Sequence, residues 1–281
     1  MTDFPAQLVT WINVVTNALG KFLLSPLSTL PGWLSNTIIS AVTGVLLLII
    51  FKYTSNQRAI GRARDDIKAH MLALKLFKDS LVVTLKAQGR VFRGAFLLLF
   101  HAMLPMLVMI VPVSLLLGQM SLWYQSRPLR GGEEALVVMS LNGDMESAWP
   151  EVSIKSTGGA EVTTGPVQVL SERQIYWKIK AVEDGYSEID FGVDGQEVKK
   201  DLAIGEGFMR VSLKRPGWKW SEIIMHPWER PFGPDSAVKS ISIDYPERLS
   251  RTSGTDWWIG YFFVVSMVFA FIFKPFLKVR I

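Results

Sequence analysis

Three stretches of the chain, residues 36–51, 95–123 and 257–273, are almost continuously apolar. A helix that crosses the hydrocarbon core of a bilayer needs about 20 apolar residues, and fewer where flanking side chains reach the interface. The pattern therefore predicts a membrane protein with three transmembrane helices, at residues 34–53, 94–124 and 256–275. A mean hydropathy of +0.26 and tryptophans at the segment ends, such as Trp33, Trp123 and Trp257, agree with this prediction.

Residues 1–30 show a two-faced helical pattern. Apolar side chains recur at three- and four-residue intervals from Phe4 to Phe22, and Asn13 and Asn17 lie on the opposite face. We expect an amphipathic helix that lies in the outer membrane interface. The alternative is a helix packed on an outer domain. The segment lacks the basic start and the small-residue cleavage site of a signal peptide.

Residues 54–93, between the first two apolar stretches, are basic and contain no proline. Their apolar residues recur near the helical period. Because the segment leaves and re-enters the same membrane face, we expect a helical hairpin that turns near Asp79 and Ser80, where an N-cap signal stands. The alternative is a solvated basic linker, which the high apolar content disfavours. The candidate partner-binding cations of this hairpin are Arg58, Arg62, Arg64 and Lys68.

After the second apolar stretch, residues 130–250 alternate apolar and polar positions. Turn pairs such as Asn142-Gly143 and Asp194-Gly195 separate the runs. Short strands at this spacing are typical of an antiparallel β-sandwich of immunoglobulin-like type. The predicted runs lie at residues 136–138, 152–154, 167–169, 175–179, 189–191, 211–213 and 241–245.

A proline-rich loop at residues 215–234 interrupts this strand rhythm. It carries Trp218, Trp220 and Trp228, which we take as candidate residues for binding an outer partner. Two other roles are open: the loop caps the sandwich, or it dips into the outer leaflet. His226 and Glu229 lie three residues apart, but a chain with three histidines and no cysteine is not expected to form a metal site.

The distribution of charge predicts the orientation in the membrane. The hairpin segment and the tail at residues 276–281 are rich in lysine and arginine, whereas residues 125–256 are net acidic. By the positive-inside rule, the amino terminus lies outside and the carboxyl terminus inside. This predicts a multi-pass protein of the inner (cytoplasmic) membrane with a large periplasmic or extracellular domain. Basic residues beside anionic headgroups explain the pI of 9.3 without a nucleic-acid partner.

Polar side chains within the predicted spans indicate a groove between them. Pro105 and Pro112 free backbone carbonyls in the second span, and such carbonyls are tolerated where protein or a water-filled cavity binds them. Polar side chains are also costly in lipid, so they are expected to face a partner helix or a groove. The predicted groove-lining residues are Asn36, Ser40, Thr43, His101, Ser114 and Gln119.

The order of these features over residues 4–123 resembles the YidC/Oxa/Alb membrane insertase superfamily, in its short three-span type. The resemblance rests on Pro31-Gly32-Trp33-Leu34-Ser35-Asn36, Thr54-Ser55-Asn56-Gln57-Arg58 and Met103-Leu104-Pro105-Met106-Leu107. It implies an amphipathic outer helix, a cytoplasmic coiled-coil hairpin and assistance to membrane insertion. Two departures stand out. Leu46-Leu47 occupies the region where bacterial relatives carry an arginine, and short relatives lack an outer domain between their last two spans.

These patterns predict a membrane-protein insertase or chaperone that works without catalysis. No nucleotide-binding loop, nucleophile elbow or zinc-protease motif is present in the sequence, and no cofactor is expected. The expected partners are other membrane proteins, a nascent polypeptide, the ribosome or translocon, and the lipid bilayer, in a hetero-oligomer. The alternative is a structural subunit of an envelope membrane complex whose outer β-sandwich binds partner proteins.

Overall fold

The computed structural model describes residues 3–24, 26, 30–76, 81–144, 146–249 and 257–279. The chain divides into two compact units. One contains Met1–Asn36 and Ser114–Tyr261, and the other contains Thr37–Val113 and Phe262–Ile281. The helices are α1 (Asp3–Leu24), α2 (Gly32–Thr54), α3 (Gln57–Leu76), α4 (Leu81–Tyr124), α5 (Trp220–Met225) and α6 (Trp258–Leu277).

Three helices in the described part of the chain are long and apolar enough to cross a membrane: α2, residues 84–124 of α4, and α6. This agrees with the three spans predicted from the sequence. Helix α4 is one unbroken helix of 44 residues, so no break separates the second predicted hairpin helix from the second span. Pro105 and Pro112 lie inside α4 without ending it. The turn predicted at residues 79–80 lies outside the described residues.

In the unit that contains residues 37–113, two glycines allow the helices to pack closely. A Cβ atom at Gly44 of α2 would lie 2.1 Å from the carbonyl oxygen of Ser266 in α6, so only glycine permits this crossing. Helices α3 and α4 also pack closely at a glycine, but there the contact is with a side chain, since a Cβ at Gly94 would lie 2.5 Å from Cγ1 of Ile67. Residues 44 and 94 are glycines, and a larger side chain at either position would push the helices apart.

The other unit contains eight described β-strands in two antiparallel sheets. Their orders are β3-β4-β1-β8-β7 and β2-β5-β6. The strands are β1 (Glu134–Leu141), β2 (Val152–Ser156), β3 (Ala160–Val169), β4 (Gln174–Ala181), β5 (Gly185–Val193), β6 (Gln196–Ile204), β7 (Lys214–Arg215) and β8 (Val238–Ile243).

One buried core joins the two sheets. It includes Val137 and Ile179 from the first sheet and Ile189 from the second, and the rings of Trp177 and Phe191 lie 5.3 Å apart across it. The prediction of an antiparallel β domain is therefore confirmed. Its details needed correction: residues 211–213 form no strand, since β7 begins at Lys214, and strand β6 was missed.

Candidate functional site

The predicted groove residues of the unit with residues 37–113 are Ser40, Thr43 and His101. Ser40 is fully buried, and Thr43 is nearly so. The Thr43 hydroxyl donates to the carbonyl of Ile39 at 2.7 Å, and Nδ1 of His101 lies 2.7 Å from the carbonyl oxygen of Leu97. Each of these two side chains thus contacts the preceding turn of its own helix.

The remaining groove candidates, Asn36, Ser114 and Gln119, belong to the other unit. Asn36 is buried, and its amide donates to the carbonyl of Trp258 at 3.4 Å. Gln119 is also buried, and its amide donates to Oδ1 of Asn17 at 2.6 Å. Ser114 is half-buried. Asn36 therefore contacts the start of α6, whereas Gln119 contacts α1, and the two amides serve different helix contacts.

Helix α1 is attached to the β domain by its polar face, and we call this set of contacts the α1 clamp. The amide of Asn13 donates to the carbonyl of Ile223 at 2.7 Å, and that of Asn17 to the carbonyl of Pro227 at 2.8 Å. Gln119 of α4 then donates to Asn17, as described above. Helix α1 therefore packs on this domain, which was the alternative drawn from the sequence, while its apolar face stays exposed. Its position in the outer membrane interface stays a prediction. The exposed side chains include Phe4, Leu8, Trp11, Val15, Leu19 and Phe22.

The three candidate tryptophans of the loop have different environments. Trp228 is half-buried, its indole N–H donates to Oδ2 of Asp201 at 2.6 Å, and the guanidinium of Arg210 lies 3.2 Å from its ring centroid. Trp218 is half-buried, whereas Trp220 on α5 is 54% exposed. Trp228 therefore belongs to the cap of the sandwich. Trp220 alone of the three presents a largely exposed ring.

A buried lysine network lies under this loop. Lys200 on β6 is fully buried, and its Nζ donates to Glu229 Oε1 at 2.6 Å, to the carbonyl of Ser212 at 2.7 Å and to that of Asp201 at 3.2 Å. Glu229 also accepts from the Ser212 hydroxyl and from the Asp201 backbone N–H. All three ammonium hydrogens therefore have acceptors. The network joins the loop to β6.

The candidate cations of the hairpin lie on α3. Arg58, Arg62 and Lys68 are exposed, and Arg64 is half-buried. Nε of Arg62 donates to the carbonyl of Arg58 at 3.5 Å. Exposed arginine and lysine side chains are suited to bind an acidic partner or phosphate groups. The structure thus presents three of the four predicted cations to solvent.

His226 was considered as a metal ligand and rejected on the sequence. Among the residues that the structure describes, no group of three His, Asp or Glu side chains is arranged to hold a metal ion. Burial lowers the pKa of His226 from its ordinary value to about 4, with Lys214 as the next cause. Its imidazole is therefore neutral at physiological pH.

Sequence reasoning missed both the α1 clamp partners and the buried lysine network. The contacts of Asn13 and Asn17 join residues about 210 positions apart, and no local pattern predicts such a pairing. Lys200 lies in a run of charged residues that indicates an exposed segment. The available signal was the turn pair Asp194-Gly195, which predicts a hairpin and therefore a strand on each side of it.

No family model matches the chain, and no curated protein matches it. Among solved structures, a match is the crystal structure of the S-layer protein rSbsC(31-844), with 16% identity over 28% of this chain and 12% of that chain. Its TM-score is 0.22, and at this value the likeness carries no argument about fold or function.

Proposed function

We propose that this protein assists the insertion or assembly of other membrane proteins without catalysis. It does so as a multi-pass protein of the cytoplasmic membrane, with its amino terminus and β domain outside and its carboxyl terminus inside. The charge distribution supports this orientation by the positive-inside rule. The resemblance of residues 4–123 to the YidC/Oxa/Alb superfamily supports the activity.

The observation that carries the proposal is the continuity and exposure of α4. This helix of 44 residues begins in the basic hairpin and continues through the apolar span. Apolar side chains in the middle of this span are largely exposed, as for Leu104, Leu107 and Ile110, which are 62%, 59% and 56% exposed. A polypeptide bound at the hairpin would therefore find, along residues 96–111 of the same helix, an apolar surface that is largely exposed.

Polar atoms on this span strengthen the argument. Proline has no backbone N–H, so Pro105 and Pro112 leave the carbonyls of His101 and Val108 without their usual helical donors. An unsatisfied carbonyl in hydrocarbon costs several kcal/mol, of order 2–7. These carbonyls supply acceptors for a polypeptide that passes along α4, which lowers the cost of moving its N–H groups into the bilayer.

The exposed cations of α3 would make the first contact. Nascent chains emerge from ribosomes whose surface is rich in phosphate, and clustered arginine and lysine side chains favour such a surface. In this account the hairpin binds the ribosome or the emerging chain through Arg58, Arg62, Arg64 and Lys68. Of the predicted groove residues, Asn36 then joins two span-capable helices by its contact with Trp258.

A second candidate function is that of a structural subunit in an envelope complex. It is favoured by α5, where Trp220 and Met225 are 54% and 65% exposed on the β domain. Large exposed apolar side chains of this kind are enriched at protein interfaces. The immunoglobulin-like type of the sandwich stays a prediction, and the strand orders differ from the A-B-E-D and C-F-G sheets of immunoglobulin constant domains.

The test is site-specific photocrosslinking in native membranes. A photoreactive residue at Leu107 of α4, which is 59% exposed, should crosslink to the apolar segment of a stalled nascent membrane protein. The matched control carries the photoreactive residue at Leu170 of the β domain, which is 63% exposed, and should form no crosslink to the nascent chain. Crosslinks from Leu170 to a fixed protein, with none from Leu107 to the nascent chain, would contradict the proposal.

Charge reversal of the hairpin tests the capture step separately. Changing Arg58, Arg62 and Lys68 to glutamate should abolish the Leu107 crosslink, because the nascent chain is no longer held near α4. The control reverses the same number of exposed charges in the β domain and should leave the crosslink intact. The control residues are Lys155, Lys180 and Lys239.

A further inference from the structure

A cleft of about 550 Å³ opens within the unit that contains the β domain. Four short segments line it: residues 30–32 at the start of α2, residues 127–130 after α4, residues 205–208 after β6, and residues 247–249. Small-molecule sites have volumes of about 300–1,000 Å³, so the cleft is large enough for one. None of the functions discussed above uses it.

The cleft is lined by charged side chains of both signs, and four of them form no close ion pair. Arg130, Arg248, Glu206 and Glu247 all line it. In the described part of the chain, none of these four side chains forms an ion pair within 4 Å. Two cations and two anions in one cleft, none of them in an ion pair within 4 Å among the described residues, suit a ligand that itself carries both charges.

Arg127 also lines the cleft, but its positive charge is already paired within the protein. Its guanidinium donates to both carboxylate oxygens of Glu133, at 2.8 and 2.9 Å. This pairing lowers the pKa of Glu133 to about 2. Arg127 is therefore neutralised within the protein and is not a candidate for binding an anion.

Arg248 is the cation that most needs a counter-charge. Its guanidinium donates only to backbone carbonyls, those of Gly207 and Ser126 at 3.3 Å and of Met209 at 3.5 Å, all three at long distances. Its Nε is buried and has no hydrogen-bond partner among the described residues. The guanidinium also lies 4.8 Å from the centroid of the Phe208 ring, a contact that offsets part of the cost of its burial but supplies no negative charge. A phosphate bound in the cleft would supply that charge.

The location of the cleft indicates where the ligand comes from. The Ser35 hydroxyl of α2 lies 2.7 Å from the Tyr124 hydroxyl at the end of α4, so the start of one span-capable helix and the end of another lie at the same level. Helix α2 has no acidic residue in its first turn, and its N-terminal dipole therefore adds positive potential. If both helices cross a bilayer, the cleft lies at the depth of the lipid headgroups.

We propose that this cleft binds the zwitterionic headgroup of an aminophospholipid. Its phosphate lies against Arg130 and Arg248, and its ammonium group lies between Glu206 and Glu247. Leu249, which is 93% exposed, contacts the glycerol or acyl region. Lipid binding by the cleft requires α2 and α4 to cross the bilayer, but it does not require insertase activity. The lipid-binding proposal and the insertase proposal can therefore fail independently. A soluble amino phosphate carries the same chemistry, and the test distinguishes the two sources.

The experiment is native mass spectrometry of the full chain in detergent, titrated with phosphatidylethanolamine, phosphatidylglycerol or diacylglycerol. We expect phosphatidylethanolamine to bind at least tenfold more tightly than either of the others. Phosphoethanolamine without acyl chains is the soluble probe. Tighter binding of the soluble probe than of the lipid would support the cleft chemistry and overturn the lipid source. Equal retention of diacylglycerol and phosphatidylethanolamine would overturn the whole proposal.

Variants test which residues bind the phosphate of the headgroup and which bind its ammonium group. Arg130→Gln and Arg248→Gln should each weaken phosphatidylethanolamine binding about tenfold. Glu206→Gln with Glu247→Gln should remove the preference for the amine over phosphatidylglycerol. Arg130 and Glu206 are exposed, so their variants fold even if Arg248→Gln does not, and circular dichroism checks this. Unchanged lipid selectivity in both exposed-residue variants would contradict the assignment.

Discussion

The buried lysine network makes the sharpest prediction about the β domain. Glu229→Gln keeps the shape of the side chain but leaves the Lys200 ammonium, which is fully buried, without its counter-ion. Breaking a buried ion pair on one side costs about 3–5 kcal/mol, because the remaining charge is uncompensated. With a urea m value of about 2 kcal/mol/M, the unfolding midpoint of the domain should fall by roughly 2 M.

The assay is pulse proteolysis of the full chain in detergent across a urea series, which follows the intact β domain. The matched control is Glu188→Gln, because Glu188 pairs with Lys199, the neighbour of Lys200, at the surface. That exposed pair is screened by water, so the midpoint should hardly change. The double variant Lys200→Met with Glu229→Gln should recover most of the loss. Equal midpoints for Glu229→Gln and Glu188→Gln would refute the reasoning.

Three further predictions follow from single contacts. Asn17→Leu removes a link of the α1 clamp and leaves polar groups unpaired, at a cost of about 1–3 kcal/mol, so limited proteolysis should release α1 faster than in wild type. Gly44→Ala should lower the thermal midpoint in detergent, since its Cβ would lie 2.1 Å from Ser266 O, whereas Gly89→Ala meets nothing within 4 Å and should not. His226 has a pKa of about 4 when folded, below the ordinary 6.5, so stability should be full above pH 6.5 and fall by up to about 3 kcal/mol toward pH 4, and His226→Gln should flatten that profile in urea titrations at several pH values.

The sequence predicted those parts of the fold that depend on local pattern. Spans are long apolar runs, and the three runs correspond to three span-capable helices. The turn at Asp194-Gly195 was recognised, and both residues have positive φ as a tight hairpin turn requires. Strand β6 was missed because Lys199, Lys200 and Asp201 interrupt its alternation, and only the contact with Glu229 makes Lys200 a core residue.

The candidate site shows the same limit. Burial of Asn36, Ser40, Thr43 and Gln119 could be expected, since polar side chains in a span seek protein. The hydrogen-bond partners of these side chains could not be predicted, because a pairing such as Gln119 with Asn17 joins distant segments that only the tertiary fold brings together. A polar side chain in a predicted span therefore indicates a contact without indicating which helix provides it.

The proposed function requires this protein to serve many membrane-protein clients through α4 and its hairpin. The most direct measurement is affinity purification of the full chain from native membranes in mild detergent, with mass spectrometry of the proteins that accompany it. We expect a heterogeneous set of membrane proteins with ribosomal or translocon components, lost when Arg58, Arg62 and Lys68 are reversed in charge. A fixed-ratio set of envelope proteins, unaffected by that reversal and lost when Trp220 on α5 is replaced, would contradict it.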